Sequence, residues 1–129
     1  MNKQIKMFMK KLREMPDFRR VKFVILYGSQ ALGKATPMSD YDFAVYYDGD
    51  KNKRYNFRIR FGGQLPDKFD LQVFQDLPLY VRMEVFKGKV IYAKNIRFVY
   101  DVAYETIKAF EDFKYRYYRY IGFDPLGET

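Results

Sequence analysis

The first apolar residues of the chain have a helical spacing, and the next group has the character of a strand. The first group is Ile5, Phe8, Met9 and Leu12. Its i, i+3, i+4, i+7 spacing predicts an amphipathic helix, which Pro16-Asp17 ends. Residues 21–27 are a short apolar run rich in β-branched side chains, which predicts a strand buried on both faces.

A turn and a second strand follow. Gly28-Ser29 stops the first strand, Ser29 is placed to cap a short helix through Leu32, and residues 33–39 form a loop. Residues 40–47 alternate with a period of two, which predicts a strand with two different faces. One face consists of Tyr41, Phe43, Val45 and Tyr47, and the other of Asp40, Asp42, Ala44 and Tyr46.

The middle of the chain contains one ambiguous segment. After a turn at residues 48–50, residues 51–61 alternate as a strand does, but the Phe57–Phe61 spacing and the following Gly62-Gly63 also suit a helix. Residues 68–74 predict a further strand, with Asp70 and Gln72 on the side opposite its apolar residues.

The C-terminal half predicts a helix, a strand and a long helix. Pro78 begins the first helix, which runs to Lys87 and is closed by Gly88. A strand follows at 89–93, and Asn95 caps a helix over about 96–121. The apolar stripe of that helix is Val99, Ala103, Ile107, Phe110, Phe113, Tyr117 and Ile121. The alternating elements predict an α+β (α/β-like) fold, a small mixed β-sheet flanked by helices, in one domain over 1–129.

Composition narrows the chemistry. The 129 residues include no cysteine and no histidine. This excludes disulfides, Cys/His zinc sites, thiol nucleophiles and Ser-His triads. A metal site must therefore use oxygen ligands, which favours Mg²⁺ or Mn²⁺. The net charge of +8 suits a polyanionic partner or a solvated basic surface. The lack of an apolar run of ~20 residues and of a signal core predicts no membrane association and a cytoplasmic location.

Three carboxylates form the first candidate constellation. The period of two places Asp40 and Asp42 on the same side of one strand, and Asp70 faces away from the apolar side of another. Close carboxylates repel each other, and a divalent cation removes that conflict. Carboxylates from two neighbouring strands could hold two metal ions, which stabilise the attacking and leaving oxygens of a displacement at phosphorus.

The Gly28-Ser29 turn is the second candidate. It lies where a buried strand ends, and backbone N–H groups gathered at such a turn suit a triphosphate. Glycine allows phosphates to approach the backbone, and the Ser29 hydroxyl offers a further hydrogen bond.

The combination resembles the DNA polymerase β-type nucleotidyltransferase superfamily, and within it the minimal nucleotidyltransferases. Gly28-Ser29, ten residues, and then Asp40 and Asp42 match the signature of that superfamily. Further positions that fit its pattern are Ala31, Gly33 and Ser39. The resemblance implies a motif core over 21–75 and a helix at 51–61.

The resemblance also implies roles for the candidate residues. Asp40, Asp42 and Asp70 would bind magnesium and carry catalysis, with Asp70 helping to deprotonate the attacking hydroxyl. Gly28 and Ser29 would hold the triphosphate of ATP, from which AMP is transferred with release of pyrophosphate.

The loop after the turn departs from the pattern of the family. Members often carry basic residues where this chain has Gln30 and Leu32, so the triphosphate has fewer cationic contacts. Lys34 is the candidate substitute.

Two classes of function remain open. In the first, the chain adenylates a macromolecule; minimal nucleotidyltransferases are often paired with a separate helical HEPN-type toxin, which some modify as antitoxins. In the second, a weakly active or inactive module neutralises its partner by binding. A small aminoglycoside-like substrate is a third alternative. The basic and aromatic segment 114–120 favours contacts with a protein partner or a second copy over nucleic acid, unless its tyrosines merely cover the sheet of the domain.

Overall fold

The computed structural model describes residues 2–122, and in this part of the chain four strands form one mixed sheet. The strands are β1 (Val21–Tyr27), β2 (Tyr41–Tyr47), β3 (Phe69–Val73) and β4 (Lys89–Ala93). Their order is β3-β2-β1-β4. Strand β1 is antiparallel to β2 and β4, whereas β2 and β3 run parallel. The predicted α+β class with a small mixed sheet is confirmed.

Four α-helices accompany the sheet in the described residues: α1 (Lys3–Arg13), α2 (Lys51–Gly62), α3 (Leu79–Val85) and α4 (Ile96–Tyr120). Short 3-10 turns occupy Phe18–Arg20 and Phe74–Asp76. Helix α3 ends two residues before the predicted Lys87. None of these helices combines the length and apolar character that a membrane span requires.

Residues 51–61, which the spacing of apolar residues left ambiguous, belong to helix α2, as the family resemblance implies. The Asp50 side chain caps α2 by accepting a hydrogen bond of 2.9 Å from the Lys53 backbone N–H. Phe57 and Phe61, one helical turn apart, are fully buried, whereas Ile59 between them is exposed. The strand-like alternation in the sequence therefore does not correspond to burial.

Two predictions about helices need correction. Residues 29–32 form no helix, because the Gly28 carbonyl accepts hydrogen bonds from the Ala31 and Leu32 N–H groups in a single turn that does not continue. In α4, the predicted stripe is only partly a core face. Val99 and Thr106 are the buried residues of this helix, whereas the stripe beyond them is largely exposed.

Two hydrophobic layers enclose the sheet. One lies between α1, α2 and the apolar face of β2 and β3, and its members include Phe8, Phe43 and Phe61. The other lies under α3 and α4 and includes Phe23 and Ala44. The alternation predicted for β2 is confirmed, and it places Asp42 on the same face as Ala44, on the side of α3 and α4.

Phe8 connects α1 to the strand that carries the acidic motif. Its ring stacks on Phe43 with a centroid distance of 3.7 Å. It also meets Phe61 of α2 and Phe69 of β3 edge to face, at 5.3 and 6.2 Å. One fully buried ring therefore joins four elements next to Asp42.

We expect Phe8→Ala to lower the free energy of unfolding by about 3–5 kcal/mol, because it leaves a cavity among these rings. Urea denaturation followed by circular dichroism measures this loss. Tyr104→Ala, at an exposed position of α4, is the control and should change stability by less than about 0.5 kcal/mol. A loss below about 1 kcal/mol in Phe8→Ala would contradict the assigned packing.

Candidate active site

Strand pairing brings Tyr27, Asp42 and Asp70 side by side. Asp42 pairs with Tyr27 across the antiparallel β1–β2 ladder and with Asp70 across the parallel β2–β3 ladder. Cross-strand partners in the same register present their side chains to the same face of a sheet. The central carboxylate therefore has a tyrosine on one side and a second carboxylate on the other.

This placement makes the charged state of Asp42 unfavourable. Burial raises the pKa of Asp42 to about 6, and the charges of Asp70 and Asp40 and a hydrogen bond with Asp70 act in the same direction. The Gln72 side-chain amide donates a 3.0 Å hydrogen bond to Asp70 Oδ1. The paired carboxylates thus attract a proton or another cation near neutral pH.

Asp40 lies at the entrance to β2 and is exposed. It is close enough for its charge to raise the pKa of Asp42. Across residues 2–122, however, acidic side chains are not gathered into a metal-ligating group of three. The structure brings Asp42 and Asp70 together and leaves Asp40 at the edge of the pair, so the three-carboxylate metal site stays a prediction.

The Gly28-Ser29 turn approaches Asp42 closely. Gly28 has a φ of 74°, a conformation that costs other residues energy. A Cβ at this position would also overlap Oδ2 of Asp42. Glycine is therefore needed for two reasons, its backbone conformation and its close approach to Asp42. Sequence reasoning assigned Gly28 to a phosphate contact and did not anticipate this contact with the carboxylate.

The loop after the turn is held by its own hydrogen bonds. The Lys34 N–H donates to the Ser29 carbonyl at 3.0 Å, and the Gln30 side chain donates to the Ser39 carbonyl at 3.4 Å. Gln30 thus fastens the two ends of the loop together. Lys34 is an exposed residue of this loop.

Tyr27 is a member of the site that sequence reasoning missed. Burial and the charges of Asp42 and Asp70 raise the pKa of its phenol to about 12, so it is a neutral hydrogen-bonding group at neutral pH. Its place as the last residue before Gly28-Ser29 was visible in the sequence. Its contact with the carboxylates depends on sheet order, which the sequence alone does not contain.

Comparison with known proteins identifies the family. Residues 3–97 match the family model described as Polymerase beta, Nucleotidyltransferase. The chain belongs to this family. The match includes the Gly-Ser turn and all three aspartates, and members of a nucleotidyltransferase family use a nucleoside triphosphate and a divalent metal.

Individual members resemble the chain to different extents. The protein named "Putative protein adenylyltransferase MJ1547" of Methanocaldococcus jannaschii is 35% identical over 74 residues, which is 57% of each chain. The aligned part thus spans little more than half the length of this nucleotidyltransferase relative.

Two solved structures share the nucleotidyltransferase fold. A chain in a toxin–antitoxin crystal structure with AMP-PNP superposes with a TM-score of 0.72, at 20% identity, over 92% of this chain and 95% of that one. A chain in the complex of tri-AMPylated Shewanella oneidensis HEPN toxin with MNT antitoxin gives 0.67, at 18% identity, over 92% and 93%.

Replacing Gly28 by alanine should cost more stability than the same change at Gly33. Both glycines have positive φ, 74° and 69°, so both substitutions carry a backbone cost of about 1–3 kcal/mol. A Cβ at Gly33 meets no atom within 4 Å, whereas one at Gly28 overlaps Asp42. The difference in unfolding free energy between the two variants isolates the contact with Asp42. Equal losses would contradict this contact.

Asp42→Asn should stabilise the metal-free protein at neutral pH. The pKa of Asp42 is raised from 3.8 to about 6 in the folded protein, so the folded protein keeps a proton on Asp42 between these pH values. Above pH 6 the ionised carboxylate lowers the stability of the fold. We expect the variant to be more stable by about 1 kcal/mol at pH 7.5, after allowance for solvent screening, and the gain to shrink towards pH 4.

Thermal unfolding in EDTA across this pH range measures the gain. Asp67→Asn, at an exposed position, is the matched control and should show no such pH-dependent gain. An Asp42→Asn variant that is less stable than the parent at pH 7.5 would show that the carboxylate is not in conflict with its neighbours.

Proposed function

We propose that the chain is a metal-dependent nucleotidyltransferase that transfers AMP from ATP to a hydroxyl of a macromolecular acceptor. The observation that carries this proposal is the Asp42–Asp70 pair beside the Gly28-Ser29 turn, in a member of a nucleotidyltransferase family. Residues 1–129 would act as one functional domain with its motif core at 21–75. The use of ATP fits a cytoplasmic location.

The residues at the site suit a hard divalent cation. Asp42 and Asp70 are close enough to share a hydrogen bond, all candidate ligands are oxygens, and Asp40 adds a carboxylate at the entrance to β2. These three residues would hold Mg²⁺ or Mn²⁺. A bound metal ion would neutralise charge that develops on the phosphate oxygens.

The turn and its loop would receive the triphosphate. Gly28 has no side chain to block the approach, Ser29 offers its hydroxyl, and Lys34 supplies a positive charge. In the reaction, the acceptor oxygen attacks the α-phosphorus and the bond to the bridging oxygen breaks. Pyrophosphate leaves, and Asp70 helps to remove the proton of the acceptor hydroxyl.

The acceptor is a separate helical protein of the HEPN type, and the chain acts as its antitoxin. Support comes from the relatives, one of which carries the name of a protein adenylyltransferase. Another relative was crystallised with an AMPylated HEPN toxin. The net charge of +8 also suits RNA, but the described surface that is richest in exposed rings lies on α4 and suits a protein.

An alternative function is neutralisation of the partner by binding alone. It is favoured by the loop after the turn, where Gln30 is used to tie the loop to Ser39 and Leu32 is exposed. Neither side chain can attract a phosphate by charge. On this alternative, the nucleotide site is weak and the complex with the partner is sufficient.

The test is transfer of label from α-³²P-ATP with Mg²⁺ to the protein encoded by the gene adjacent to that of this chain, the candidate acceptor. We expect labelling of the acceptor by the parent and by Asp67→Asn, and a loss of at least about 100-fold in Asp42→Asn and Asp70→Asn. Mg²⁺ with ATP should also raise the melting temperature of the parent more than that of Asp42→Asn.

Formation of the complex separates the two functions. If the parent binds the acceptor but transfers no label, binding alone is the function. If Asp42→Asn keeps the complex but loses both the label and the neutralisation of the acceptor, transfer is the function.

A further inference from the structure

The second half of α4 and its C-cap residue carry an apolar face that the described domain leaves largely uncovered. We call it the distal face; it consists of Phe110, Phe113, Tyr117, Tyr120 and Ile121. Phe113 and Tyr117 stack on each other at 6.4 Å but remain 58% and 52% exposed. Exposed apolar patches of this kind mark interaction sites.

The distal face continues the side of α4 that packs on the core. At ~100° per residue, Phe110, Phe113 and Tyr117 lie on the same side of the helix as the buried Val99 and Thr106. The 25 residues of α4 extend for roughly 37 Å, and its buried residues, Val99 and Thr106, both lie in its first half. The same apolar side is therefore covered by the domain in its first half and open in its second.

A cavity marks where the covered half ends. It has a volume of about 200 Å³ and lies between α3 and α4. Its lining consists of Leu79, Tyr80, Phe110 and Phe113. A pocket of this size with aromatic walls accepts one apolar side chain, which is how an interface anchors a helix in a groove.

The charges beside the distal face indicate which kind of partner would bind to it. Lys114 borders it on one side and Arg116 on the other, whereas Glu111 and Asp112 lie farther round the helix. Neither cation has an ion pair with the described residues. Two copies of α4 would bring four cations and no bordering carboxylate to one seam. An acidic helix would supply the missing charges.

We propose that the distal face binds an amphipathic helix of a partner protein that carries carboxylates on both sides of an apolar seam. A helix is the occupant because ridges of one helix pack into grooves of another along a straight face. This inference deepens the proposed function by assigning the surface for its helical partner. The inference rests on the proposed function only because that function requires a separate helical partner.

The test uses a fluorescein-labelled synthetic peptide of three heptads, with leucine at positions a and d and glutamate at e and g. A second peptide has lysine at e and g; like charges keep each peptide from pairing with itself. Fluorescence anisotropy is measured with the full chain and without nucleotide. We expect the glutamate peptide to bind at least about tenfold more tightly than the lysine peptide.

Variants locate the binding. Phe113→Asp with Tyr117→Asp should abolish it, and Lys114→Glu with Arg116→Glu should reverse the preference between the peptides. Tyr104→Asp is the matched control, since Tyr104 is 64% exposed on α4 but lies off the distal face. Circular dichroism verifies that these surface variants remain folded.

Equal binding of both peptides, no binding, or binding that survives Phe113→Asp with Tyr117→Asp would overturn the proposal. So would a dimer of the chain in sedimentation that these two substitutions dissociate, because the occupant would then be a second copy. The assay contains no ATP, so absence of label transfer would defeat the proposed function and leave this inference intact.

Discussion

Two carboxylates that lie side by side repel each other, and the central strands of this protein hold Asp42 and Asp70 in that arrangement. Partial burial of Asp42 is the main cause that raises its pKa to about 6, and the charge of the exposed Asp70 beside it adds to the effect. A half-buried carboxylate without a counter-charge, such as Asp42, destabilises the fold. The site is thus a place where stability is given up, as functional sites often are.

The surrounding packing keeps the carboxylates in place. Strand β2 has neighbours on both sides and a hydrophobic layer on each face. On the face opposite Asp42, the stacked rings of Phe43 and Phe8 hold the strand against α1. Gly28 then brings the end of β1 against Asp42 without a side chain between them. These contacts hold Asp42 in position.

Much of this arrangement could be predicted from residue spacing. The period of two in β2 separated Asp42 and Ala44 from Phe43, and the structure confirms that separation. Residues 51–61 could not be assigned by spacing, because Tyr55 and Ile59 are apolar but exposed. The resemblance to a family resolved that segment. Tyr27 was missed because sequence separation hides its pairing with Asp42, which only the order of strands creates.

The α4 helix shows a second limit of sequence patterns. An apolar stripe predicts which side of a helix will be covered, but the same residues serve a core and an interface, so the pattern does not say what covers them. The type of aromatic residue differs between the core and the end of α4. The most deeply buried rings are phenylalanines, such as Phe23 and Phe74, whereas three of the four most exposed rings near the end of α4 are tyrosines: Tyr115, Tyr117 and Tyr120, beside Phe113.

Tyrosine tolerates both environments, because its ring packs against apolar groups while its hydroxyl remains hydrated. A face that must be wet before association and dry afterwards favours this residue over phenylalanine. The exposed Tyr117 and Tyr120 of the distal face therefore suit a surface that forms its contacts with another protein. They lie on the same helix whose first half belongs to the hydrophobic layer on the Asp42 side of the sheet.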